Sequence, residues 1–537
     1  MPKKQKFIIT TGGVCSGLGK GISAASMGTI LQGMGYSIFP MKFDPYLNID
    51  PGTMNPFQHG EVFVTDDGAE TDLDLGHYER FLDISLNRHS SVSTGQIYTK
   101  ILSKERQGEF LGKTIQIIPH ITDAIKAEVL RAAEISKADI ISVEIGGTVG
   151  DIEAEPFLEA MRQLRHDVGT ENIYFVHVVL IPYLMASQEL KTKPAQASVR
   201  ELRRIGLRPN MIIARSDYHL PKDILQKIAF FSGVSEQAVI PAVTDESIYH
   251  VPLAFEKHDI GLTIAKKLEL AYHEVDLKKW EKLHKDRKLA KKIKKIGLIA
   301  KYARSIDAYF SVIEALKAAA WSHGVNPEIV DIDSEELEKE GIKILKDLDG
   351  IVVPGGYGKR GTEGKILAAE YAREHKIPYL GLCLGMQMMV IEASRNLLGL
   401  KNATSEEFDA KAEDSVIHLM PEQQKITSKG GTNRLGVYDC KLTKGTKVQA
   451  AYDKIHIKER HRHRYEYNND YRERLEKAGV LVAGVNPDLD LVEIVEIEDH
   501  PFMVGVQFHP EFLSRPTKPH PLFSAYMKVI AEASSKF

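Results

Sequence analysis

Cysteine is nearly absent from this sequence: three occur among 537 residues, Cys15, Cys383 and Cys440. Three thiols cannot form the disulfide framework that stabilises small secreted domains, so we expect a protein of a reducing compartment. A thiol that stays reduced is available for chemistry, and its neighbours in the sequence indicate whether it is used. Neither Cys15 nor Cys440 has the neighbours of a nucleophile.

Long apolar runs are missing as well. No stretch approaches the roughly 18 apolar residues of a membrane helix. Residues 10–13 also interrupt the short apolar stretch that follows the basic N-terminus, so this stretch does not have the length of a signal peptide. We therefore expect a cytoplasmic protein that has no membrane partner.

An excess of charge of either sign is also lacking. The 70 Lys and Arg residues against 73 Asp and Glu give a formal net charge of −3. This balance provides no overall attraction to nucleic acid, so we expect no nucleic-acid partner and only local sites for polyanions. The length exceeds that of one ordinary hydrophobic core and predicts at least two domains.

Short apolar runs alternate with longer helical patterns in both halves of the chain, which is typical of parallel sheets built from βαβ units. The predicted strands are 7–11, 37–42, 140–145, 174–181, 211–214, 296–300, 351–353 and 378–382. Between 273 and 295 the chain is dense in charge; we favour a solvated helical linker there over a basic binding patch. We predict an α/β protein of two doubly wound domains, 1–270 and 295–537, joined by a charged linker at 271–294.

A glycine-rich turn, GGVCSGLGKG, follows the first predicted strand and precedes a helical pattern. Such glycines let backbone N–H groups bind phosphates at a helix N-terminus, and Lys20 adds a positive charge. Five residues rather than four separate Gly13 from Gly19, and Gly21 stands where a magnesium-binding hydroxyl is usual. The turn predicts a nucleotide-phosphate site whose magnesium is held elsewhere; a turn with no ligand is the alternative.

Acidic residues near predicted strands are the candidates for that magnesium. Asp72 and Asp74 lie in an acidic string, and Glu144 ends an apolar strand. Carboxylates at the carboxyl ends of parallel strands are well placed for magnesium that bridges nucleotide phosphates. The string KTKPAQ, residues 191–196, either holds further phosphates or is a solvated loop.

A G-x-C-x-G pattern at 381–385 ends an apolar strand and leads into a helical pattern. This is the form of a nucleophile elbow, in which a helix N-terminus favours the thiolate of Cys383. The string QFHPE provides a base, His509, and an orienting carboxylate, Glu511, which face the same way in an extended segment. The amide after the cysteine and the amide of Gly356 are candidate oxyanion donors.

The string ERHRHRY, residues 459–465, alternates basic side chains. Its histidines allow a metal site, but the interleaved arginines repel a cation. We therefore favour recognition of an anion.

In chain order, PGG, GLCLGMQ and FHPE resemble the class I glutamine amidotransferases. TTGGVCSGLGKG, the string from MKFDPYLNID to GHYERF, QIIPHIT, VEIGGTVGDIE and KTKPAQ resemble the synthetase domain of the CTP synthase family. The resemblance covers nearly the whole chain. It implies that ATP phosphorylates O4 of UTP and that ammonia, released from glutamine, displaces this phosphate, with Lys20, Mg²⁺ and Lys42 neutralising the transferred phosphoryl group.

The resemblance also implies a set of binding residues for each ligand. Those for ATP are Ser16, Gly17, Leu18, Gly19, Lys20, Gly21, Ile22, Asp74, Val243, Thr244 and Asp245, with Mg²⁺ on Asp74 and Glu144. Those for UTP are Ser16, Lys191, Thr192, Lys193, Pro194, Ala195, Gln196 and Lys227. Those for the inhibitor CTP are Ser16, Asp151, Ile152, Glu153, Lys191, Gln196 and Lys227. Those for L-glutamine are Gly356, Leu384, Gly385, Met386, Gln387, Glu407 and Arg464.

Further implications concern transfer, regulation and assembly. Pro56, His59 and Val62 would line an ammonia path, and GTP would activate the glutaminase near Tyr357, Arg360 and Gly364. The active form would be a homotetramer, a dimer of dimers. The sequence departs from the family around 423–436, where some members carry an arginine that serves the GTP response. For Asp151 and Glu153 the alternative is that they only cap the next helix.

Two other classes of protein share part of this pattern. A cobyric-acid-type amidotransferase also joins a phosphate loop to a glutaminase-like domain, but it does not explain KTKPAQ or GDIE. A phosphate-loop switch or partition ATPase, acting as an assembly protein, has no use for Cys383 and His509. Hydrolysis of glutamine and amination of UTP separate these possibilities.

Overall fold

The computed structural model describes residues 5–303, 305–420, 423 and 430–533. The chain divides into two compact units, Met1–Asp50 with His77–His284 and Pro51–Gly76 with Lys285–Phe537. The segment Pro51–Gly76 thus belongs to the second unit although it lies early in the sequence. The domain boundaries at 270 and 295 stay a prediction.

Strands and helices are numbered in chain order over the described residues. The strands are β1 (Lys6–Gly12), β2 (Ile38–Asp44), β3 (Phe63–Val64), β4 (Glu70–Thr71), β5 (Ser91–Ser93), β6 (Ile140–Ile145), β7 (Ile173–Leu180), β8 (Tyr183–Leu184), β9 (Glu189–Leu190), β10 (Met211–Ser216), β11 (Val239–Val243), β12 (Lys292–Ala300), β13 (Val325–Asp333), β14 (Gly350–Val353), β15 (Tyr379–Leu382), β16 (Thr404–Ser405), β17 (Ser415–Leu419), β18 (Arg434–Leu442), β19 (His456–His463), β20 (Tyr465–Tyr467), β21 (Val480–Asn486), β22 (Leu491–Ile497) and β23 (Met503–Val506). The helices are α1 (Lys20–Gly33), α2 (Pro56–His59), α3 (Asp74–Leu82), α4 (Thr94–Arg106), α5 (Thr122–Ser136), α6 (Glu155–Val168), α7 (Lys193–Arg204), α8 (Lys222–Ser232), α9 (Val251–Glu256), α10 (Ile260–Leu268), α11 (Lys278–Leu289), α12 (Phe310–Ser322), α13 (Ser334–Glu340), α14 (Thr362–His375), α15 (Leu384–Asn396), α16 (Lys447–Tyr452), α17 (Arg472–Lys477) and α18 (Pro521–Glu532).

The first unit is built on a parallel sheet of order β11-β10-β7-β1-β6-β2-β5. Its central strand β1, KFIITTG, is buried along its whole length. This explains why the strand is a mostly apolar run and does not alternate between apolar and polar residues. Because β1 lies between β6 and β7, the loop that follows it opens at a point where the strand order reverses, a position that favours ligand binding.

The second unit contains a mixed sheet of order β13-β12-β14-β15-β23-β22-β21-β18-β19. The first five strands in this order, β13, β12, β14, β15 and β23, are parallel to one another, and the pairs that follow are antiparallel. Ile351 and Val353 of β14 pack into one core cluster and Val352 into another, so both faces of the sheet are covered. The predicted α/β class with parallel sheets is confirmed, whereas the antiparallel part was not predicted.

Within the charged stretch near 273–295, Lys278–Leu289 form α11 and Lys292 begins β12; that this stretch is a linker stays a prediction. Its Trp280 and Leu283 are buried, and the Trp280 ring lies 5.2 Å from Phe81 and 6.0 Å from Tyr249 between centroids. The helix therefore packs through a few apolar side chains. Among the helices that the structure describes, none combines the length and apolar character needed to cross a membrane.

Candidate functional site

Cys383 stands at a sharp turn between β15 and α15. Its backbone has φ 51° and ψ −102°, a conformation that is strained for a residue with a side chain. A Cβ on Gly381 would lie 2.6 Å from the carbonyl carbon of Gly385, and one on Gly385 would lie 2.0 Å from the carbonyl oxygen of Val353. Both glycines of G-x-C-x-G are therefore required by the close packing that forms the predicted elbow.

The predicted base and its orienting carboxylate meet as expected. His509 Nδ1 lies 2.7 Å from Glu511 Oε1, and both side chains are buried. Burial by itself lowers the pKa of His509, but the negative charges of Glu511 and Cys383 outweigh it and raise this pKa to about 10. Because Glu511 holds Nδ1, Nε2 is the ring atom left to exchange a proton with the thiol.

The thiol itself has two further polar neighbours. Gln507 Nε2 lies 3.6 Å from Cys383 Sγ, and the carbonyl oxygen of Arg462 lies 3.8 Å from it. Gln507 also accepts from Gln387 Nε2 at 3.2 Å, and Gln387 donates to the carbonyl of Tyr465 at 3.1 Å. These contacts place the predicted glutamine-binding residue Gln387 beside the nucleophile.

A cavity of about 180 Å³ contains all three members of the triad. One wall comes from the loop that follows β14, and another from the segment Pro51–Gly76. The lining residues are Gly52, Thr53, Met54, Pro56, Glu61, Val62, Tyr302, Ala308, Tyr309, Val312, Pro354, Gly355, Gly356, Tyr357, Cys383, Arg462, His509, Glu511 and Phe512. Pro56 and Val62, two of the residues predicted to line an ammonia path, thus line this cavity, whereas His59 is not among its lining residues.

Two of the three arginines of ERHRHRY bind side chains of the segment Pro51–Gly76. Arg460, which has no exposed side-chain surface, contacts Asp66 Oδ1 through Nη2 at 2.5 Å, and Arg462 Nε donates to Glu70 Oε1 at 2.7 Å. Arg462 Nη2 also donates to the carbonyl of Gly52 at 3.0 Å. Arg460 and Arg462 therefore pair with carboxylates of the chain itself, and recognition of a ligand anion by this string stays a prediction.

The histidines between these arginines are buried and contact each other, with His461 Nδ1 3.0 Å from His463 Nε2. Burial lowers the pKa of both rings well below the usual range, so they are neutral. Within the described residues no group of three or more His, Cys, Asp or Glu is arranged to hold a metal ion.

The other predicted glutamine-binding residues surround the loop after β14. Glu407 Oε1 accepts from the backbone N–H of Gly358 at 2.6 Å, and burial raises the pKa of this carboxyl. Arg464 Nη2 donates to Thr432 Oγ1 at 2.8 Å and is close enough to Glu407 to oppose that rise. Leu384, Gly385 and Met386 form the buried first turn of α15.

In the first unit, the glycine-rich turn joins β1 to α1. Gly17 and Gly19 have φ 72° and 82°, which only glycine adopts without strain. Lys20 lies in the first turn of α1, and its Nζ donates to the carbonyl of Gly147 at 2.8 Å. A Cβ on Gly12 would lie 2.7 Å from Lys20 Cδ, so the lysine folds closely over the end of β1. A glycine-rich turn before a helix N-terminus is the conformation that the sequence predicts for a phosphate loop, and binding of a nucleotide there stays a prediction.

Glu144 lies at the carboxyl end of β6 and is buried. It pairs in register with Lys42, whose Nζ lies 3.3 Å from Oε1, and it accepts a hydrogen bond from the Tyr78 hydroxyl. Mg²⁺ at nucleotide sites is usually held by one or two carboxylates together with phosphates rather than by a protein cage. A single buried carboxylate beside the phosphate loop fits that mode. Asp74, the other predicted ligand, lies in the second unit.

Two family models match the chain: "CTP synthase N-terminus" over residues 6–270 and "Glutamine amidotransferase class-I" over residues 305–529. A CTP synthase of Carboxydothermus hydrogenoformans is 55% identical over 99% of this chain and 100% of its own length. The chain belongs to the CTP synthase family. A CTP synthase of Clostridium acetobutylicum is 52% identical over 99% of the chain and 100% of the relative. Membership makes the chain a glutamine-hydrolysing ligase that forms C–N bonds.

A solved structure is also similar to part of this chain. The glutaminase domain of a Trypanosoma brucei CTPS with bound acivicin is 39% identical, with a TM-score of 0.43, and the match covers 45% of this chain and 95% of that domain.

The residues that CTP synthase family membership suggests for UTP lie around the start of α7. Thr192 precedes this helix, and its Oγ1 accepts from Gln196 Nε2 at 3.0 Å. Lys191 forms an ion pair with Glu189. Its positive charge lowers the pKa of the Glu189 carboxyl, and the charge of Lys227 adds a smaller effect in the same direction. Two cations from different segments therefore face one exposed anion, an arrangement that suits a phosphate group.

The residues suggested for CTP inhibition lie just before α6. Asp151 Oδ2 accepts from the N–H of Thr148 at 2.8 Å, and Ile152 and Glu153 are exposed. The N-cap of α6 is Ala154, which makes no side-chain hydrogen bond. Asp151 is the N-cap of the short 3-10 helix Ile152–Ala154 that runs into α6, but its side chain makes no capping hydrogen bond there. In the described residues neither Asp151 nor Glu153 caps α6 itself through its side chain, and their contact with CTP stays a prediction.

The residues suggested for adenine lie at the carboxyl end of β11. Val243 is exposed there, and the Thr244 hydroxyl donates to Asp217. Asp245 Oδ2 lies 2.5 Å from His250 Nδ1. These residues occupy the same edge of the parallel sheet as the phosphate loop.

A buried chain of hydrogen bonds under the phosphate loop was not predicted. His177 Nδ1 lies 2.9 Å from Thr11 Oγ1, and its Nε2 lies 2.8 Å from Ser198 Oγ. Burial, helped by the charge of Lys20, lowers the pKa of His177 to about 3, so the ring is neutral. A Cβ on Gly13 would lie 1.6 Å from Ser198 Oγ. The available signal was a histidine inside the apolar strand IYFVHVVL, since buried polar groups need partners.

Around the site suggested for GTP, Arg360 donates to Glu335 Oε2 at 2.9 Å, and its guanidinium lies 5.5 Å from the centre of the Tyr302 ring. Tyr357 donates from its hydroxyl to the carbonyl of Arg462 at 2.9 Å. The stretch at which the sequence departs from the family, around 423–436, lies outside the described residues at 424–429.

Proposed function

We propose that this chain makes CTP from UTP, ATP and glutamine through a 4-phosphorylated UTP intermediate. The observation that supports the proposal most is the cavity shared by Cys383 and the segment 52–62. This segment belongs by sequence to the CTP synthase N-terminal family region, yet it forms a wall of the glutaminase site. Such a wall is what transfer of ammonia from one reaction to the other requires.

In the glutaminase half, the raised pKa of His509 means that its ring has already taken the thiol proton, and Cys383 Sγ attacks the amide carbon of glutamine as a thiolate. The same imidazole then protonates the departing ammonia, and water hydrolyses the thioester to glutamate. Glu511 keeps the ring in the tautomer that this exchange needs. The N–H groups of Leu384 and of the loop containing Gly356 stabilise the oxyanion.

Ammonia must reach UTP without meeting bulk water, where it would be protonated and would lose its nucleophilic lone pair. Pro56 and Val62 provide apolar surface in the cavity next to Cys383. An apolar wall disfavours the ammonium ion, so it favours passage of neutral ammonia.

In the synthetase half, residues 16–22 bind the ATP phosphates, with Val243, Thr244 and Asp245 near the adenine. Lys20 and Lys42 balance the charge of the transferred phosphoryl group. Mg²⁺, bound with ATP and held by Glu144 and Asp74, would neutralise phosphate oxygens. UTP is bound by Lys191, residues 192–196 and Lys227.

We also propose how CTP and GTP regulate the enzyme and how it assembles. CTP inhibits by sharing the triphosphate contacts of UTP and placing its base near Asp151, Ile152 and Glu153. GTP activates the glutaminase near Tyr357, Arg360 and Gly364. The active form is a homotetramer in the cytoplasm.

The test is formation of CTP from UTP and ATP, measured once with glutamine and once with added ammonia. We expect CTP with both nitrogen sources. Glutamate release without any amination of UTP would contradict the proposal, and a corrinoid acid offered in place of UTP tests the cobyric-acid-type alternative. Absence of glutamine hydrolysis would favour the switch-type ATPase instead.

A further inference from the structure

Lys365 of α14 is a completely buried lysine that the proposed chemistry does not use. Its side chain has no exposed surface, and its Nζ donates to the carbonyl oxygen of Pro354 at 2.9 Å. Burial lowers the pKa of this amine well below the usual range, and the nearby charge of Lys301 acts in the same direction. Because burying an amine is unfavourable, a lysine kept at this position needs a reason other than packing.

The carbonyl that Lys365 binds belongs to the loop bordering the nucleophile. A Cβ on Gly355 would lie 2.9 Å from His509 Cε1 and 3.6 Å from Cys383 Cβ, so the Pro354–Gly355 peptide adjoins the catalytic pair. In a planar trans peptide the N–H points opposite to the C=O. With its carbonyl held by Lys365, this peptide turns its N–H away from α14.

The neighbouring carbonyls of the loop are held in the same manner. Lys301 Nζ donates to the carbonyl of Tyr357 at 3.0 Å and also to that of Gly358. In the part of the chain that the structure describes, the N–H groups of Gly355 and Gly356 donate to no protein acceptor. Both glycines line the cavity that contains Cys383. Carbonyls are therefore bound by amines, while N–H groups remain available.

We propose that Lys365 is a positioning residue for the oxyanion site of the glutaminase: its amine holds the Pro354 carbonyl, so that the loop presents N–H groups rather than carbonyl oxygens to the reacting amide. A carbonyl turned into the cavity would repel the oxyanion, whereas preorganised N–H donors stabilise it. The inference rests on the proposed function only through glutamine hydrolysis.

The test variant is Lys365→Met, which keeps an unbranched side chain only one atom shorter and removes the donor. We expect the kcat of glutamate release to fall about 100-fold, the loss typical of one missing oxyanion donor. CTP formation from added ammonia should stay at the wild-type rate, and Tm should not fall, because the buried amine has been removed. Loss of ammonia-dependent synthesis together with a lower Tm would show a general structural role and overturn the proposal.

A second measurement separates positioning of the loop from damage to the nucleophile. Alkylation of Cys383 by iodoacetamide forms no oxyanion, so its rate, followed by mass spectrometry of the Cys383 peptide, should be the same in Lys365→Met and wild type. Equal losses in alkylation and in glutamine hydrolysis would overturn the proposal.

Two further variants complete the design. Lys365→Gln keeps an N–H donor and should lose less activity than Lys365→Met; equal losses, or failure of both variants to fold, would refute the role. The matched control is Lys294→Met, a buried lysine of the same unit that pairs with Asp349 at 2.7 Å. Its rate of glutamine hydrolysis should be unchanged.

A wild-type chain that hydrolyses glutamine but makes no CTP would refute the proposed function and leave this inference standing.

Discussion

Arg462 joins the wall of the glutaminase cavity to the nucleophile. Its Nε donates to Glu70 Oε1 at 2.7 Å, its Nη2 donates to the Gly52 carbonyl at 3.0 Å, and its own carbonyl oxygen lies 3.8 Å from Cys383 Sγ. The guanidinium also lies 5.2 Å from the centre of the Tyr357 ring. One residue thus contacts the segment Pro51–Gly76, the loop that follows β14 and the thiol.

The first prediction concerns the ion pair between Arg462 and Glu70. In Glu70→Gln the charge is removed but an acceptor oxygen remains, so the cavity wall should loosen while Cys383 still reacts. We expect glutamate release within about threefold of wild type and a lower yield of CTP per glutamate, because ammonia escapes. Both products are measured in the same reaction. Lys458→Met is the control: Lys458 lies on β19 with Arg462 and forms an exposed ion pair with Asp439 of β18. An unchanged CTP-to-glutamate ratio in Glu70→Gln would refute the idea.

The second prediction concerns the nucleophile. Cys383→Ala removes the thiol from the elbow and should abolish glutamine-dependent formation of CTP, because no thioester can form. Synthesis from added ammonia should remain near the wild-type rate. Initial rates with each nitrogen source provide the check, and glutamine-dependent synthesis at the wild-type rate would show that Cys383 is not the nucleophile.

The third prediction concerns the phosphate loop. Lys20→Met should stop CTP formation from glutamine and from ammonia alike, because the charge beside the ATP phosphates is lost. Basal hydrolysis of glutamine should persist. If ammonia-dependent synthesis continues unchanged, the loop is not the ATP site.

The fourth prediction concerns pH. The folded state raises the pKa of His509 from 6.5 to about 10, so the protonated ring contributes stability that is complete below about 6.5 and is lost as pH rises to about 10. In Glu511→Gln this rise in pKa should shrink. The Tm of wild type should therefore fall more steeply between these pH values than that of the variant. Parallel curves would contradict the assigned pair.

The fifth prediction concerns inhibition by the product. Glu153 is exposed and caps no helix, so Glu153→Ala should leave Tm unchanged. We expect the inhibition constant for CTP, measured in competition with UTP, to rise more than the KM for UTP. An unchanged inhibition constant would exclude Glu153 from the CTP site.

The sequence by itself determined the features whose physics is local. A glycine-rich turn after a buried strand, and G-x-C-x-G between strand and helix, require particular backbone conformations, and the residues that allow them stand next to one another in the chain. Apolar periodicity likewise determined the α/β class and the parallel strands. The pairing of His509 with Glu511 was predicted for the same reason, since the two are only two residues apart in the chain.

Only the tertiary structure decided which distant segments meet. Glu70 and Arg462 are 392 residues apart, and no local pattern indicates that Pro51–Gly76 packs in the second unit. The same holds for Lys365, which reads as an ordinary charged residue of a helix until its amine is seen on the Pro354 carbonyl, and for His177 beneath the phosphate loop. Such partners are set by the packing of whole sheets and helices, because burial makes a polar group take whatever partner the fold places beside it.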